Sequence, residues 1–209
     1  ATRIEQSVLD VAAAVTVVAA EDIERLAPEL LAEMLRGVPG AYFQQTTPGQ
    51  GIVIIRGLKG SEVLQLVDGF RLNNAIFRNS PNQYVALIDP MMLERIEVVR
   101  GPMSTLYGSD AMGGVMHMIT EEPAVEGSDW SGGGGVLFQY GSADESTLSR
   151  AEGHGGRDPL VFSGGVTYQD AKDLRVGGGD TLPYTNYSAR GGNARLRAEI
   201  AEGNELSFQ

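Results

Sequence analysis

The chain contains 209 residues, no cysteine and a formal net charge of −11. The lack of cysteine excludes a disulfide framework and a thiolate metal site. The acidic balance argues against a nucleic-acid partner, because phosphate binding needs clustered Lys and Arg side chains. No run of eighteen apolar residues occurs, which excludes a membrane-spanning helix and leaves membrane-spanning strands open.

The N-terminal part of the chain predicts two strands with helical pieces between them. The apolar run Val15–Ala20 indicates a strand, and Asp22–Leu26 and Pro28–Arg36 indicate short helices that stop at Gly37. Ala41–Gln44 is the next candidate strand. Four apolar residues recur at helical spacing and should be buried: Leu30, Leu31, Met34 and Leu35.

The middle of the chain predicts two buried strands followed by a polar loop. Ile52–Arg56 is continuously apolar up to its arginine, which is typical of a strand covered on both faces. Glu62–Val67 is the second strand, and Asp68-Gly69 is a strong turn dipeptide. Leu72–Tyr84 is polar and irregular, and Val85–Pro90 leads through a short helical turn into the next segment.

The segment ERIEVVRGPMSTLYGSDAMGGVMHMIT, residues 94–120, contains the strongest local pattern. Two strands, Ile96–Arg100 and Val115–Thr120, are separated by Gly-Pro, a helix-sized piece and a Gly-Gly pair. His117 alternates within the second strand and is predicted to be a satisfied polar residue.

The composition of the chain changes after residue 120, where seventeen of the 28 glycines lie. Glu121–Ser131 is predicted to be a linker, Gly155–Asp158 a short turn and Asp170–Tyr184 a longer loop. Leu160, Phe162, Val166 and Tyr168 share one face of a strand, and Leu196, Ala198 and Ile200 share one face of another, opposite polar residues. The predicted strands are Gly135–Tyr140, Thr147–Gly153, Leu160–Gln169, Asn193–Ile200 and Glu205–Gln209. This alternation suits an outer-membrane barrel or an antiparallel sheet with one solvated face.

The segment 94–120 resembles the plug-domain signature of TonB-dependent outer-membrane receptors. Ile55-Arg56-Gly57 and the string VLQLVDGFRLN also look like elements of that family. The matching residues of the signature are Arg95, Ile96, Glu97, Val98, Arg100, Gly101, Pro102, Ser104, Tyr107, Gly108, Ala111, Gly113, Gly114, Val115 and Thr120.

The resemblance implies an α+β fold, namely a mixed-sheet plug with short helices followed by the first antiparallel strands of an incomplete transmembrane β-barrel. The expected boundaries are residues 1–122 for the plug, 123–131 for a linker and 132–209 for the barrel strands. A barrel that holds a plug needs about 22 strands. We therefore expect this chain to be a fragment, with the TonB box lying before Ala1.

The function that the resemblance implies is import of a scarce nutrient, a ferric siderophore or another metal chelate, across the Gram-negative outer membrane. TonB, the chelate and outer-membrane lipid are the implied partners, the plug should lie in the barrel lumen facing the periplasm, and no cofactor is implied. Arg56 and Arg100, with Glu97, are implied to form an ionic latch to glutamates on the barrel wall. The residues expected to contact the ligand are Arg78, Asn79, Asn82, Gln83 and Tyr84, with the loop Thr46–Gln50 beside them.

Three alternatives stay open. The chain could be a free-standing soluble plug-like binding module, its ligand could be haem or cobalamin, and a signalling receptor would need a further domain before the TonB box. Asp170, Asp173 and Asp180 could supply oxygen ligands to calcium, although solvated acidic loops are commoner. Catalysis is not expected, because Gly108-Ser109-Asp110 lacks the spacing of a nucleophile elbow and neither histidine, His117 or His154, has metal-ligand spacing.

Overall fold

The structure is a computed structural model that describes residues 13–26, 28–45, 47–73, 84–122, 125, 129–201 and 204–208. The chain divides into two compact units, Ala1–Glu121 and Glu122–Gln209. None of the helices in the described part is long and apolar enough to cross a membrane.

The described residues of the first unit form eight short strands and two short α-helices. In chain order they are β1 Ala14–Ala19, α1 Ala20–Leu26, β2 Ala41–Gln44, β3 Ile52–Ile55, β4 Leu58–Lys59, β5 Val63–Val67, β6 Phe70–Arg71, β7 Leu93–Arg100, α2 Ser104–Tyr107 and β8 Gly114–Thr120. Single 3-10 turns occupy Leu31–Leu35, Gly60–Glu62, Tyr84–Leu87 and Pro90–Met92. The larger sheet has the order β1-β7-β8-β5-β6, and a smaller one the order β2-β3-β4. In the larger sheet β5 runs parallel to β8, and every other neighbouring pair of strands is antiparallel. The larger sheet is therefore mixed, as predicted.

The core of the first unit is built from the apolar runs that the sequence marks. Ile55 of β3 and Ile96 of β7 are fully buried. The predicted stripe of Leu30, Leu31, Met34 and Leu35 is buried as well. The structure nevertheless corrects the predicted helix Pro28–Arg36, because only a 3-10 turn forms, over Leu31–Leu35. Its N-cap, Leu30, has no side-chain oxygen to satisfy the free N–H groups, so nothing favours a longer helix there.

The second unit is one antiparallel sheet in which each strand pairs with the next along the chain. Its strands are β9 Ser131–Gly141, β10 Ser146–Arg157, β11 Leu160–Ala171, β12 Tyr187–Ala201 and β13 Asn204–Phe208. The order is β13-β12-β11-β10-β9. Three of these strands have eleven or twelve residues and β12 has fifteen, which exceeds the common strand length of about five or six.

The two faces of this sheet differ in chemistry. Cross-strand partners share a face, and Phe162 pairs with Leu196 whereas Ser163 pairs with Arg195, as the alternation predicts. The side chains that lie on the same side of the sheet as Phe162 and Leu196 form what we call the apolar face. It includes Val136, Phe138, Tyr140, Leu160, Phe162, Val166, Tyr168, Leu196, Ile200, Leu206 and Phe208, all of them exposed. The side chains on the opposite side, with Ser163 and Arg195, form what we call the polar face. It includes Gln139, Arg150, Glu152, His154, Ser163, Thr167, Gln169, Asn193, Arg195 and Arg197.

Most described glycines of the second unit lie inside strands, whereas Gly177, Gly178 and Gly179 lie in the loop between β11 and β12. The strand glycines correct two predictions. The expected turn at Gly155–Asp158 is wrong, because β10 continues to Arg157 and only Asp158 and Pro159 turn the chain. A Cβ on Gly156 would lie 2.3 Å from the carbonyl oxygen of Leu160, so glycine permits close strand contact there. Strand β9 likewise begins at Ser131, before the predicted Gly135, and includes the whole glycine run.

Candidate functional site: the β5–β6 hairpin and the signature segment

The turn between β5 and β6 binds the neighbouring strand β8 through Asp68 and Gly69. Both residues have positive φ, 45° and 85°, as a two-residue hairpin turn of type I′ requires. The Asp68 carboxylate accepts the backbone N–H of Thr120 at 2.9 Å and its hydroxyl at 2.6 Å. The Gly69 N–H donates to Nε2 of His117 at 3.0 Å. The turn therefore fixes the end of β8, where the first unit ends.

Arg71 holds the loop that follows α2. Its guanidinium donates to the carbonyl oxygens of Tyr107 at 3.0 Å and Ser109 at 2.5 Å. It also contacts the hydroxyl of Ser109 and the carboxylate of Asp110, each at 3.2 Å. A guanidinium has five N–H groups in a fixed fork, so one side chain can organise this entire turn. Asp110 itself has φ +71°, a conformation that Asp tolerates better than most residues.

Asn73 completes the hairpin by copying the hydrogen bonds of a strand. Its side-chain oxygen accepts from the N–H of Gln65 at 2.8 Å, and its side-chain nitrogen donates to the carbonyl of Val63 at 2.9 Å. Asp68, Arg71 and Asn73 thus tie β5, β8 and the α2 loop together; we call these three residues the clasp. Sequence reasoning noticed the string VDGFRLN but assigned only its turn. The three polar side chains, spaced two or three residues apart beside a strand, were the signal that was missed.

The two predicted latch arginines lie at neighbouring turns. Arg56 occupies the β3–β4 turn with φ +51°, followed by Gly57 with φ +80°. Its backbone N–H donates to the carbonyl of Gly40 at 2.8 Å. A Cβ on Gly101 would lie 3.0 Å from its Nη1, so the guanidinium passes over the backbone that follows Arg100. Among the described residues the Arg56 side chain forms no ion pair.

Arg100 uses its guanidinium to hold backbone, not carboxylate. It donates to the carbonyl oxygens of Pro39 at 2.6 Å and Ala14 at 3.2 Å. These bonds join β7 to the turn before β2 and to the start of the edge strand β1. Arg56 and Arg100 therefore converge on the turn that contains Gly40.

Glu97, the third predicted latch residue, pairs within its own strand. Its carboxylate accepts from Nε of Arg95 at 3.1 Å. Burial alone would raise the pKa of Glu97, but the Arg95 hydrogen bond and the surrounding positive charge outweigh burial, so the pKa lies below its ordinary value. The carboxylate is consequently charged at neutral pH.

His117 is a satisfied strand residue, as predicted, because its Nε2 accepts the Gly69 N–H. Burial lowers the pKa of His117 below its ordinary value, and the nearby carboxylates of Glu97 and Asp68 only partly oppose that shift. The ring is therefore neutral at pH 7, which the acceptor role of Nε2 requires.

The predicted ligand contacts fall mostly outside the described residues. Arg78, Asn79, Asn82 and Gln83 lie there, and so does Thr46. Tyr84 begins the 3-10 turn Tyr84–Leu87 and is partly exposed. In the remaining part of the other loop, the Gln50 N–H donates to the Thr47 carbonyl at 3.3 Å.

The acidic loop of the second unit uses one predicted calcium ligand for a different purpose. Asp173 accepts the backbone N–H groups of Thr185 at 2.9 Å and Asn186 at 3.0 Å, which closes the loop after β11. No group of three His, Cys, Asp or Glu side chains able to hold a metal ion occurs among the described residues. Glu145 pairs with both Lys172 and Arg175, which fastens the β9–β10 turn to the same loop.

Arg150 organises the polar face of the second unit. It is almost fully buried and donates to Glu152 at 2.8 Å, to the hydroxyl of Thr167 at 3.0 Å and to the side-chain oxygen of Asn193 at 3.3 Å. A Cβ on Gly165 would lie 2.6 Å from its Nη2, so glycine makes room for the guanidinium. A satisfied polar face and an exposed apolar face are the two sides of a barrel wall that meets lipid on its outside.

A mixed-sheet unit with short helices, followed by a meander with an apolar outer face, defines the class of outer-membrane proteins with an N-terminal plug. The family description TonB-dependent Receptor Plug Domain matches residues 7–115, and the chain belongs to this family. It is 38% identical over 179 residues to the vitamin B12 transporter BtuB of Vibrio vulnificus, covering 84% of this chain and 28% of the relative. It is 34% identical to the vitamin B12 transporter BtuB of Photobacterium profundum, covering 68% of this chain and 24% of that protein.

Solved structures agree on the fold. The copper transporter OprC superposes with a TM-score of 0.79 at 19% identity, over 92% of this chain and 30% of OprC. The ferric yersiniabactin uptake receptor FyuA from Yersinia pestis gives a TM-score of 0.61 at 25% identity, over 89% of this chain and 29% of FyuA. The chain spans less than a third of the length of these relatives. The predicted family and the predicted fold are therefore confirmed.

Proposed function

We propose that this chain is the plug and the first barrel strands of an importer that takes a metal chelate across the Gram-negative outer membrane with energy from TonB. The observation that carries the proposal is the apolar face of the second unit. In water such a face would be an aggregation hazard, so it favours a wall embedded in lipid over a free-standing soluble module. The plug comprises residues 1–122, the linker 123–131 and the wall 132–209, with the plug in the lumen facing the periplasm.

The first ligand to test is a cobalamin, which is a cobalt chelate. It is favoured by the 38% and 34% identity to proteins named vitamin B12 transporters. A ferric siderophore is the second candidate, favoured by the 25% identity to the yersiniabactin receptor. In either case Arg78, Asn79, Asn82, Gln83 and Tyr84 are the plug residues proposed to contact it.

Arg56 is the strongest candidate for the latch between the plug and the wall. It sits at positive φ, which costs an ordinary residue of order 1 kcal/mol and points to a role for the side chain. Its guanidinium has no ion-pair partner among the described residues, so it can bind a carboxylate of the wall. Arg100 and Glu97 act beside it, Arg100 by holding the turn at Pro39 and Glu97 through Arg95. Such polar contacts exchange with water more readily than an apolar interface would.

The function is tested by uptake of radiolabelled cyanocobalamin, and in parallel of a labelled ferric siderophore, into cells that carry the protein. We expect uptake of one of the two ligands in cells with TonB and none in matched cells without it. Arg56→Asn should change uptake at least severalfold, whereas Lys59→Asn, which removes an exposed cation from the same hairpin, should not. Equal uptake with and without TonB would contradict the proposal.

A further inference from the structure

The apolar face of the second unit carries very little charge. By cross-strand register, the charged side chains on this face among the described residues are Arg157, Asp170 and Arg190, and all three lie near strand ends. The polar face, by contrast, includes four charged side chains well inside its strands, namely Arg150, Glu152, Arg195 and Arg197. The two arginines are therefore not part of a mixed, solvated surface.

Each of these arginines lies over an aromatic ring. The guanidinium carbon of Arg157 is 5.8 Å from the ring centre of Trp130, and that of Arg190 is 5.5 Å from the ring centre of Tyr168. Neither arginine forms an ion pair within the part of the chain that the structure describes. Trp130 is 63% exposed. Both pairs consequently present an unneutralised cation next to an amphipathic ring.

The spacing of the two pairs matches the thickness of a membrane. Arg190 and Tyr168 lie in one cross-strand row with Phe138 of β9, eight residues after Trp130. Eight residues span about 27 Å along a strand, or roughly 20 Å across a bilayer for strands tilted by 35–45°. The same tilt changes the depth by roughly 6 Å between strands two positions apart, which leaves the separation comparable to the band. An outer-membrane barrel has an apolar band of about 25 Å with aromatic residues at both margins. The two pairs therefore bracket the band.

The lengths of the turns distinguish the two ends of the second unit's strands. Next to Arg157 the chain turns through Asp158 and Pro159 alone, whereas residues 172–186 form the loop at the opposite end. Outer-membrane barrels have short turns on the periplasmic side and longer loops outside. The Arg157 end is therefore the periplasmic margin of the band.

We propose that Arg157 and Trp130 form a binding site for the phosphate of an anionic glycerophospholipid in the periplasmic leaflet. This rests on the proposed function only in requiring that the second unit stand in the outer membrane as part of a barrel wall. The guanidinium fork binds two phosphate oxygens, while the Trp130 ring lies at headgroup depth. Leu160, the cross-strand neighbour of Arg157, contacts the upper acyl chain.

The test is native mass spectrometry of the folded, full-length receptor released from nanodiscs of phosphatidylglycerol and phosphatidylcholine. Arg157→Gln should lower the retained phosphatidylglycerol about fivefold, the effect of one arginine at a membrane surface. Arg157→Lys should restore part of it, because the charge remains while the fork is lost. The matched control is Arg197→Gln, the same charge change on the polar face, which should retain as much phosphatidylglycerol as the unchanged protein.

Phosphatidylglycerol retention that is the same for Arg157→Gln and Arg197→Gln would overturn the proposal. A loss confined to lipid A, in nanodiscs that contain it, would also overturn it, because the site would then face the outer leaflet. Cyanocobalamin uptake by the same variants separates this inference from the proposed function. A receptor that loses phosphatidylglycerol on Arg157→Gln but never imports a chelate would contradict only the proposed function.

Discussion

The two units use the same strand-forming residues in opposite ways. In the first unit Val53 and Ile55 of β3 are fully buried, whereas in the second Val136 is 87% and Val166 64% exposed. The first unit therefore buries its apolar side chains against one another. The second unit leaves its apolar side chains for the surroundings to cover, so its surroundings should be apolar too. The contrast supports the proposal that lipid surrounds the second unit.

Glycine shows the same contrast. In the first unit most positive-φ glycines serve turns, as at Gly57 and Gly69. In the second unit Gly164 and Gly165 lie near the middle of β11, and Gly155 lies inside β10. A chain that tolerates glycine there keeps its strands by cross-strand hydrogen bonds, which are worth more where no water competes.

The largest expected effect comes from a charge on the apolar face. Val166→Arg should destabilise the membrane-embedded protein by about 2–4 kcal/mol, because Val166 lies midway along the exposed face of β11. The control Ala189→Arg places the same side chain at an exposed position of the polar face, opposite Gln169. Unfolding in lipid vesicles should separate the two variants. Equal destabilisation by both would show that the apolar face does not meet lipid.

The next effect probes the close packing of the first unit. Gly114→Ala should cost about 3 kcal/mol, because the added Cβ would lie 2.2 Å from the carbonyl oxygen of Val99, which is backbone and cannot move aside cheaply. Gly57→Ala is the control, with positive φ but no atom within 4 Å. Denaturant unfolding measures both free energies. A cost for Gly114→Ala no larger than for Gly57→Ala would refute the packing argument.

Loss of Arg71 from the clasp should destabilise the α2 loop locally. Arg71→Ala removes four hydrogen bonds and should cost about 1–2 kcal/mol, discounted because the side chain is one-third exposed. Hydrogen exchange of peptides that cover residues 104–113 should accelerate, while those covering β9–β11 should not. Arg95→Ala, which removes two in-strand ion pairs made by a side chain of similar exposure, serves as the control. Unchanged exchange over 104–113 would mean that the loop holds its shape without Arg71.

Replacing Arg56, whose backbone is strained, should raise the free energy of unfolding slightly, whereas the substitutions above lower it. Arg56→Asn should stabilise the first unit by about 0.5–1 kcal/mol, because Asn tolerates positive φ better than Arg. Lys59→Asn again serves as the control. A destabilised Arg56→Asn variant would show that the guanidinium contributes to folding and not only to the proposed latch.

The smallest expected effect is a pH dependence from His117. Burial lowers its pKa in the folded state, so the unfolded state binds the extra proton first and stability should fall as the pH drops below about 6.5. His117→Gln, which keeps an acceptor for the Gly69 N–H, should flatten the stability profile between pH 5 and 7. Glu97 also faces the ring, and its own pKa is lowered, so it should leave this window unchanged. A profile of equal slope in both proteins would contradict the assignment.

The sequence predicted most of the fold because its signals were local. The buried stripe from Leu30 to Leu35, the Asp68-Gly69 turn and the alternation along β11 all depend on neighbours a few residues away. The strand limits in the second unit were harder to predict, because glycine at 132–135 and 155–156 normally breaks structure and here allows close pairing. The clasp was missed because Arg71 and its partners at 107–110 are more than thirty residues apart in sequence.

The most direct test of the account is a cysteine scan along β11, since the chain has no cysteine of its own. Spin labels at residues 162–168 in the membrane-embedded protein should alternate with a period of two. The labels at 162, 164, 166 and 168 should be accessible to oxygen and shielded from a water-soluble nickel reagent, as expected for side chains in lipid. The labels at 163, 165 and 167 should not combine high oxygen access with low nickel access. Uniform access of the nickel reagent to all seven positions would contradict the assignment of the second unit to the membrane wall.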